Sequence, residues 1–129
     1  MSPELEKKLV EEFPNLFKGR KLPITQNLMS FGCECDDGWF QLIHDFCVKA
    51  QGTEAYFTQI KEKYGRLVMY MNCFTDELFD EACKIEDVSQ TVCEICGKEG
   101  ELSVKSGWFK TLCLECRGEQ GFVRINDNH

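Results

Sequence analysis

Four cysteines near the C-terminus form a pattern that can bind a metal ion. Cys93, Cys96, Cys113 and Cys116 make two C-x2-C pairs separated by 16 residues. Two short loops that each carry a pair of thiolates can converge on one tetrahedral Zn²⁺, with Zn–S distances of about 2.3 Å. Because protein sulfur then fills all four coordination positions, such a zinc stabilises a fold and offers no position to water or substrate. The spacing therefore predicts one structural zinc site with four cysteine ligands.

A second set of possible metal ligands lies in the N-terminal half of the chain. Cys33, Cys35, His44 and Cys47 form the pattern C-x-C-x8-H-x2-C. His44 and Cys47 are three residues apart on a predicted helix and could share a metal ion. In the alternative interpretation Cys47 packs in the core and His44 faces solvent. The chain has nine cysteines and no recognisable export signal, so we expect free thiols in a reducing compartment rather than a disulfide framework.

The sequence lacks the signatures of common catalytic sites. A zinc deaminase needs H-x-E and P-C-x-x-C, whereas here Phe46 stands two residues after His44, and Val92 and Leu112 precede the cysteine pairs. A cysteine nucleophile needs a base, and the histidines are His44 and the terminal His129. Glycine-rich phosphate loops, G-x-S-x-G and H-E-x-x-H are absent. We therefore expect a protein that is not an enzyme.

The charge distribution disfavours nucleic acid as the main partner. The net charge is −7, with −6 in residues 1–92 and −1 in residues 93–129, whereas nucleic-acid binders usually present a basic field. Nucleic-acid binding would require four cations of the C-terminal region to gather on one face: Lys105, Lys110, Arg117 and Arg124. No apolar run approaches the roughly 18 residues that span a membrane, and the acidic N-terminus does not resemble a secretory signal. A cytoplasmic location without membrane contact is the expectation.

The elements that must position these residues indicate an α+β fold with about three helices and a β-hairpin. Ser2 predicts the N-cap of a first helix that stops at Pro14, and Asp36 or Asp37 could cap a second helix that Gly52 ends. A hairpin is predicted over residues 57–63 and 66–71 with its turn at 64–65. Thr75 predicts the cap of a third helix, whose core face would comprise Leu78, Phe79, Ala82 and Ile85.

A second hairpin is predicted between the two cysteine pairs, over residues 102–105 and 108–112. Gly97 and Gly118 follow the two C-x2-C loops, where a positive φ is often needed. Two C-x2-C loops, called knuckles, with a hairpin between them make a zinc ribbon or, if a helix follows, a treble clef. The alternation of apolar and polar residues over 122–125 is typical of a strand and favours the ribbon. The predicted organisation is therefore an α+β core over residues 1–90 and, over residues 91–129, a four-cysteine module like a zinc ribbon or treble clef that packs on the core.

The sequence resembles a family of small, mostly uncharacterised bacteriophage proteins. Three segments carry the resemblance: FGCECDDGWF at 31–40, IKEKYGRL at 60–67, and the C-x2-C pairs with Gly107-Trp108 and Thr111-Leu112-Cys113 between them. Such proteins usually place an arginine or a similar polar residue where Val68 stands in this chain. The resemblance spans about residues 30–118. It implies a phage origin and a zinc-containing fold, and it brings no assigned activity.

Several residues are candidates for partner binding, each with a structural alternative. Asp36, Asp37 and Trp39 could line a pocket, or could cap and anchor a helix. Asp76 and Asp80 belong to an acidic row on the third helix that could dock on a basic surface, or could be a solvated face. Trp108 could be an interface anchor or could pack on its hairpin. We expect a non-enzymatic zinc protein that docks on a host protein, possible targets including bacterial defence components; the alternatives are a nucleic-acid accessory module and a binder of a small nucleotide signal.

Overall fold

Ser2 begins the first helix, as its sequence position predicts. In the computed structural model, which describes residues 1–125, α1 spans Pro3–Glu12. The hydroxyl of Ser2 accepts a hydrogen bond of 3.4 Å from the amide of Leu5, and Pro3 occupies the first turn. Phe13 leaves the helical conformation because the following proline disfavours it, and its side chain is buried.

The second helix is not capped by an aspartate, so that prediction is wrong. A 3-10 turn over Asp37–Trp39 leads directly into α2, Phe40–Ala50, and neither Asp36 nor Asp37 makes a side-chain capping bond. Both carboxylates are engaged elsewhere: Asp36 lies 3.2 Å from the Lys110 ammonium, and Asp37 accepts a bond of 2.7 Å from the amide of Ser2. Tertiary contacts therefore override the local capping preference.

A three-stranded sheet forms the centre of the N-terminal region. The short strand β1, Cys33–Glu34, pairs in parallel with β2, Phe57–Lys63, and β2 pairs antiparallel with β3, Arg66–Met71, giving the order β1-β2-β3. The hairpin has the predicted bounds. Its two-residue turn, Tyr64-Gly65, has positive φ at both positions, which matches the twist of the flanking strands.

The third helix covers this sheet and leaves one aromatic residue outside. α3 spans Asp76–Ser89, and the Thr75 hydroxyl accepts a bond of 3.2 Å from the amide of Leu78. Leu78 and Ile85 are buried and Ala82 is half-buried, as predicted. Phe79, in contrast, is 54% exposed beside Phe74, so its placement in the core is wrong.

The C-terminal region adds a second sheet and a fourth helix. β4, Glu101–Lys105, and β5, Trp108–Leu112, form the predicted hairpin, and β6, Val123–Arg124, pairs with β4 to give the order β5-β4-β6. Between β5 and β6 lies α4, Leu114–Gln120. Residues 1–125 thus contain four α-helices rather than three, and the α+β class is confirmed. Gly121, with φ of 76°, ends α4; Gly118 is helical, contrary to prediction.

Two hydrophobic clusters hold these elements. The larger cluster joins α1, α2, α3 and the first sheet, and its largest buried side chains include Trp39, Phe46 and Phe57. The smaller cluster consists of Cys93, Leu112, Cys113 and Cys116 with Ile95 and Phe122 packed against it. Three of its four buried members are cysteines of the C-x2-C pairs, so apolar burial in this region is small and a metal ion would contribute much of its stability.

Candidate metal centre

The four cysteines of the C-x2-C pairs converge on one point. Their sulfur atoms all lie within 4.8 Å of one another, and the Sγ atoms of Cys96 and Cys113 are 3.6 Å apart. A tetrahedron with Zn–S bonds of about 2.3 Å places neighbouring sulfurs about 3.8 Å apart, so the spacing fits a tetrahedral metal. Cys96 is exposed and the other three are buried.

The first cysteine loop is a tight knuckle. The amide of Gly97 donates to the carbonyl of Cys93 at 2.9 Å, and the amide of Cys93 donates to the carbonyl of Lys98 at 2.7 Å. Gly97 has φ of 83°, a conformation that glycine adopts without steric cost. The knuckle therefore needs a glycine at this position, as the sequence predicts.

The second cysteine loop is the beginning of α4. The sulfur of Cys113 occupies the N-cap position and accepts a hydrogen bond of 3.4 Å from the amide of Cys116. This backbone donor is the main reason that the pKa of Cys113 is lowered to about 7. Desolvation raises the pKa of Cys116 and that of Cys96. The lowered pKa favours the thiolate form of Cys113, and a bound cation would stabilise the deprotonated forms of Cys96 and Cys116.

The first knuckle rests on the Asp-Asp-Gly-Trp segment of the core. The amide of Gly38 donates a bond of 2.6 Å to the carbonyl of Glu94, and the indole Nε1 of Trp39 donates one of 2.8 Å to the carbonyl of Val92. A Cβ on Gly38 would lie 2.1 Å from the carbonyl oxygen of Cys93. The sequence pattern did not predict a contact at Gly38; its one available signal was a glycine between an aspartate and a large aromatic residue.

A buried carboxylate completes this contact. The side chain of Glu94 is almost fully buried; its Oε2 accepts from the amide of Asp36 at 3.1 Å, and its Oε1 lies 3.9 Å from the ammonium of Lys110. Burial raises the pKa of Glu94 to about 7, although Lys110 opposes the shift. A second contact joins the turn of the first hairpin to β5: the hydroxyl of Thr111 donates to the carbonyl of Gly65 at 2.7 Å. The two hydrophobic clusters are therefore joined by specific polar contacts.

The second predicted ligand set does not assemble in the same way. Within residues 1–125, the four C-x2-C cysteines are the one group of three or more His, Cys, Asp or Glu side chains whose ligand atoms converge. Cys33, Cys35 and Cys47 are buried, and desolvation raises the pKa of each, that of Cys33 to about 12. The Nε2 atom of His44 lies 3.0 Å from the Glu12 carboxylate. Cys47 thus takes the core position that the alternative interpretation gave it, and His129 lies outside the described residues.

The predicted partner-binding residues fall into two groups. Trp39 is fully buried, so it serves the internal contact and is not available to a partner. Asp36 and Asp37 also bond within the chain, but Asp37 is exposed and the side chain of Asp36 is 48% exposed, so their role in partner binding stays a prediction. Asp76 and Asp80 are exposed on α3, and Trp108 is 73% exposed at the turn between β4 and β5.

The cations that nucleic-acid binding would require are bonded to other residues of the chain. Lys110 pairs with Asp36, and the ammonium of Lys105 donates to the carbonyl of Gln120 at 2.9 Å. Glu101 lies 4.0 Å from the guanidinium of Arg117 and 3.8 Å from that of Arg124. Each of the four cations thus has a partner within the described residues, while Lys105 and Arg124 remain exposed.

The turns of the two hairpins meet at an aromatic cleft. Tyr64, 65% exposed, lies in the first turn, and its ring centroid is 6.4 Å from that of Phe109 in β5. Trp108 stands beside Phe109. The cleft has a volume of about 410 Å³, and Lys61, Glu62 and Lys63 also line it. We call this feature the hairpin cleft.

No family model matches the chain, and no curated protein or solved structure matches it significantly. Among the helices of the described part of the chain, none has the length and apolar character needed to cross a membrane.

Proposed function

We propose that this chain is a non-enzymatic binding protein whose four-cysteine cluster holds one structural Zn²⁺. The convergence of four sulfur atoms within 4.8 Å supports the site, and the all-thiolate donor set favours Zn²⁺ over the harder cations Mg²⁺ and Ca²⁺. Knuckle, hairpin and a helix that starts at the second cysteine pair resemble a treble clef more than a ribbon. With four protein ligands the zinc has no open position for substrate, so its role is to hold the module.

Metal content tests this assignment. We expect one Zn²⁺ per chain in protein purified under reducing conditions, and loss of that metal in Cys113→Ser. Cys83→Ser is the matched control, because Cys83 is exposed on α3 and does not belong to the cluster. Elemental analysis that finds no metal in the wild-type chain, or equal metal in both variants, contradicts the assignment.

The exposed aromatic residues of the hairpin cleft support a protein-docking function. A tryptophan that is 73% exposed beside an exposed tyrosine is costly in water, and Trp and Tyr are the residues that most often carry interface binding energy. Two-residue turns with positive φ fix the backbone on both sides of the cleft. A rigid aromatic surface loses little conformational entropy when it binds.

The charged residues of the hairpin cleft indicate the charge of the partner's surface. Lys61, Glu62 and Lys63 line the cleft, and the carboxylate of Glu62 accepts a hydrogen bond of 2.7 Å from the amide of Gly65. We expect a protein surface with an apolar pocket that receives Trp108 and with carboxylates that face the two lysines. The resemblance to bacteriophage proteins makes a host protein the expected partner, for instance a component of bacterial defence, met in the host cytoplasm.

The docking proposal is tested in two stages. The wild-type chain and Trp108→Ala are used to capture proteins from bacterial lysate, and a protein retained by the wild type alone is purified and titrated. We expect Trp108→Ala to weaken its binding by about 30-fold or more, the effect of a hot-spot residue, and Ile24→Ala, which removes an exposed apolar side chain outside the cleft, to have little effect. Equal affinity of Trp108→Ala and the wild type overturns the assignment of the surface.

A further inference from the structure

Three cations gather in one turn of this acidic chain. Lys18, Arg20 and Lys21 belong to the 3-10 turn Lys18–Lys21 and are exposed. None of them forms an ion pair with another residue in the range 1–125, whereas most other lysines and arginines of the same range do. Like charges held together without a carboxylate repel one another, so the turn is electrostatically prepared for an anion.

The turn is held rigidly against the first sheet. Gly19 packs so closely that an added Cβ would lie 2.2 Å from the side-chain nitrogen of Asn27 and 2.8 Å from the carbonyl oxygen of Phe57. The buried Asn27 donates to that same carbonyl at 3.0 Å and accepts from the amide of Met29 at 2.7 Å. The amide of Phe57 donates to the carbonyl of Leu16 at 2.8 Å. These bonds fix the backbone that carries the cations, so binding would not have to order it.

An apolar cleft lies beside the cations. Its volume is about 430 Å³, within the range of about 300–1,000 Å³ that small-molecule sites occupy. Both apolar and polar side chains line it, and no carboxylate is among the residues that form it: Val10, Pro14, Phe17, Lys18, Arg20, Lys21 and Ser30. We call this feature the basic cleft. It shares no lining residue with the hairpin cleft.

We propose that the basic cleft binds a small phosphorylated molecule of the nucleotide type. The guanidinium of Arg20 can hold a phosphate by two parallel hydrogen bonds, and Lys21 supplies further positive charge. Lys18, whose ammonium lies 5.1 Å from the centroid of the Tyr56 ring, adds its charge to the same turn. A ring-bearing group would cover the apolar part of the cleft, which a bare phosphate would leave in water. Three cations match the charge of a diphosphate. This site is separate from the protein-docking surface and does not depend on it.

Calorimetric titration of the full zinc-loaded chain at low ionic strength tests the site. The probes are ADP, GDP, CDP, UDP and inorganic pyrophosphate. We expect at least one nucleoside diphosphate to bind about tenfold more tightly than pyrophosphate, because the nucleoside adds apolar contact. Affinity should fall as salt is raised, since exposed charges are screened.

Two charge-matched double variants show where the probe binds. Arg20→Gln with Lys21→Gln should weaken binding by about tenfold or more, while Lys49→Gln with Lys84→Gln, which removes the same charge around Glu81, should change it by less than about twofold. Melting temperatures close to that of the wild type show that both variants are folded. The proposal is overturned if none of the four nucleotides binds below about 1 mM, if pyrophosphate binds as tightly as the best nucleotide, or if both double variants bind equally well.

Discussion

The amide of Gly38 donates a 2.6 Å hydrogen bond to the carbonyl of Glu94, and this bond sets the backbone of the core directly against the first cysteine knuckle. The next residue, Trp39, donates a hydrogen bond from its indole nitrogen to the carbonyl of Val92, which precedes the same knuckle. The core therefore positions the knuckle through its carbonyl oxygens, while its sulfurs converge with those of the second cysteine pair.

Gly38→Ala is expected to destabilise the protein strongly. The new Cβ would lie 2.1 Å from the carbonyl oxygen of Cys93 and 2.5 Å from that of Glu94, so backbone must move. We expect a loss of about 3 kcal/mol in the free energy of unfolding, at the upper end of overpacking effects. Denaturant titration measures it.

Gly118→Ala is the control for this substitution. Gly118 lies in α4 with open space at its Cβ position, so alanine should stabilise the helix by about 0.5–1 kcal/mol. Similar unfolding midpoints for the two variants would contradict the close contact at Gly38.

The same substitution should cost much more stability at one tryptophan than at the other. Trp39→Phe removes the indole donor to the carbonyl of Val92 and leaves a gap in a fully buried position, so we expect a loss of about 2 kcal/mol. Trp108→Phe changes a side chain that is 73% exposed and should cost less than about 0.5 kcal/mol. Thermal or denaturant unfolding measures the loss in each variant, and equal losses would contradict the burial of Trp39.

Features that are determined by residues adjacent in the chain could be predicted from the sequence. Both hairpins follow from short β-rich runs around Tyr64-Gly65 and Ser106-Gly107, since such two-residue turns require positive φ. The cysteine spacing predicted convergence of four ligands, and the sulfur positions agree with it. Serine and threonine caps of α1 and α3 were likewise predictable from the residues themselves.

Features that depend on distant partners could not be predicted. α4 has only seven residues, includes Gly118, and takes its N-cap bond from the sulfur of Cys113, which capping preferences do not include. Asp36 makes its bonds to Lys110, 74 residues away, instead of capping α2. The basic cleft combines α1 with a turn whose cations look like a solvated loop when they are read in the sequence alone.

Thiol reactivity should separate the nine cysteines into three groups. Because the thiolate is the reactive species, burial and a raised pKa protect Cys33, Cys35 and Cys47 at pH 7.5, whereas the exposed Cys73 and Cys83 should react with iodoacetamide first. The four cluster cysteines should react only after a chelator has removed the metal. Mass spectrometry of the labelled chain counts the sites.

The same experiment examines the second ligand set. If chelation also made Cys33, Cys35 and Cys47 reactive while the circular dichroism of the helices stayed native, those cysteines would hold a metal as well. Alkylation of the cluster cysteines at the rate of Cys73 before any chelator is added would contradict metal binding at the four-cysteine site.

Thr111→Val tests the second contact between the core and the cysteine module. Thr111 is fully buried in β5, and its hydroxyl donates a 2.7 Å bond to the carbonyl of Gly65. Valine keeps the shape and suits a strand, but it leaves that carbonyl without its donor, so we expect a loss of about 1–2 kcal/mol in the free energy of unfolding. Thr91→Val is the matched control, because its hydroxyl donates to the carbonyl of Val88 at 2.8 Å on the exposed surface, where water can replace it. Chemical denaturation should show a clear loss for Thr111→Val and less than about 0.5 kcal/mol for Thr91→Val, and equal small effects would mean that the hairpin turn and β5 are not coupled through this bond.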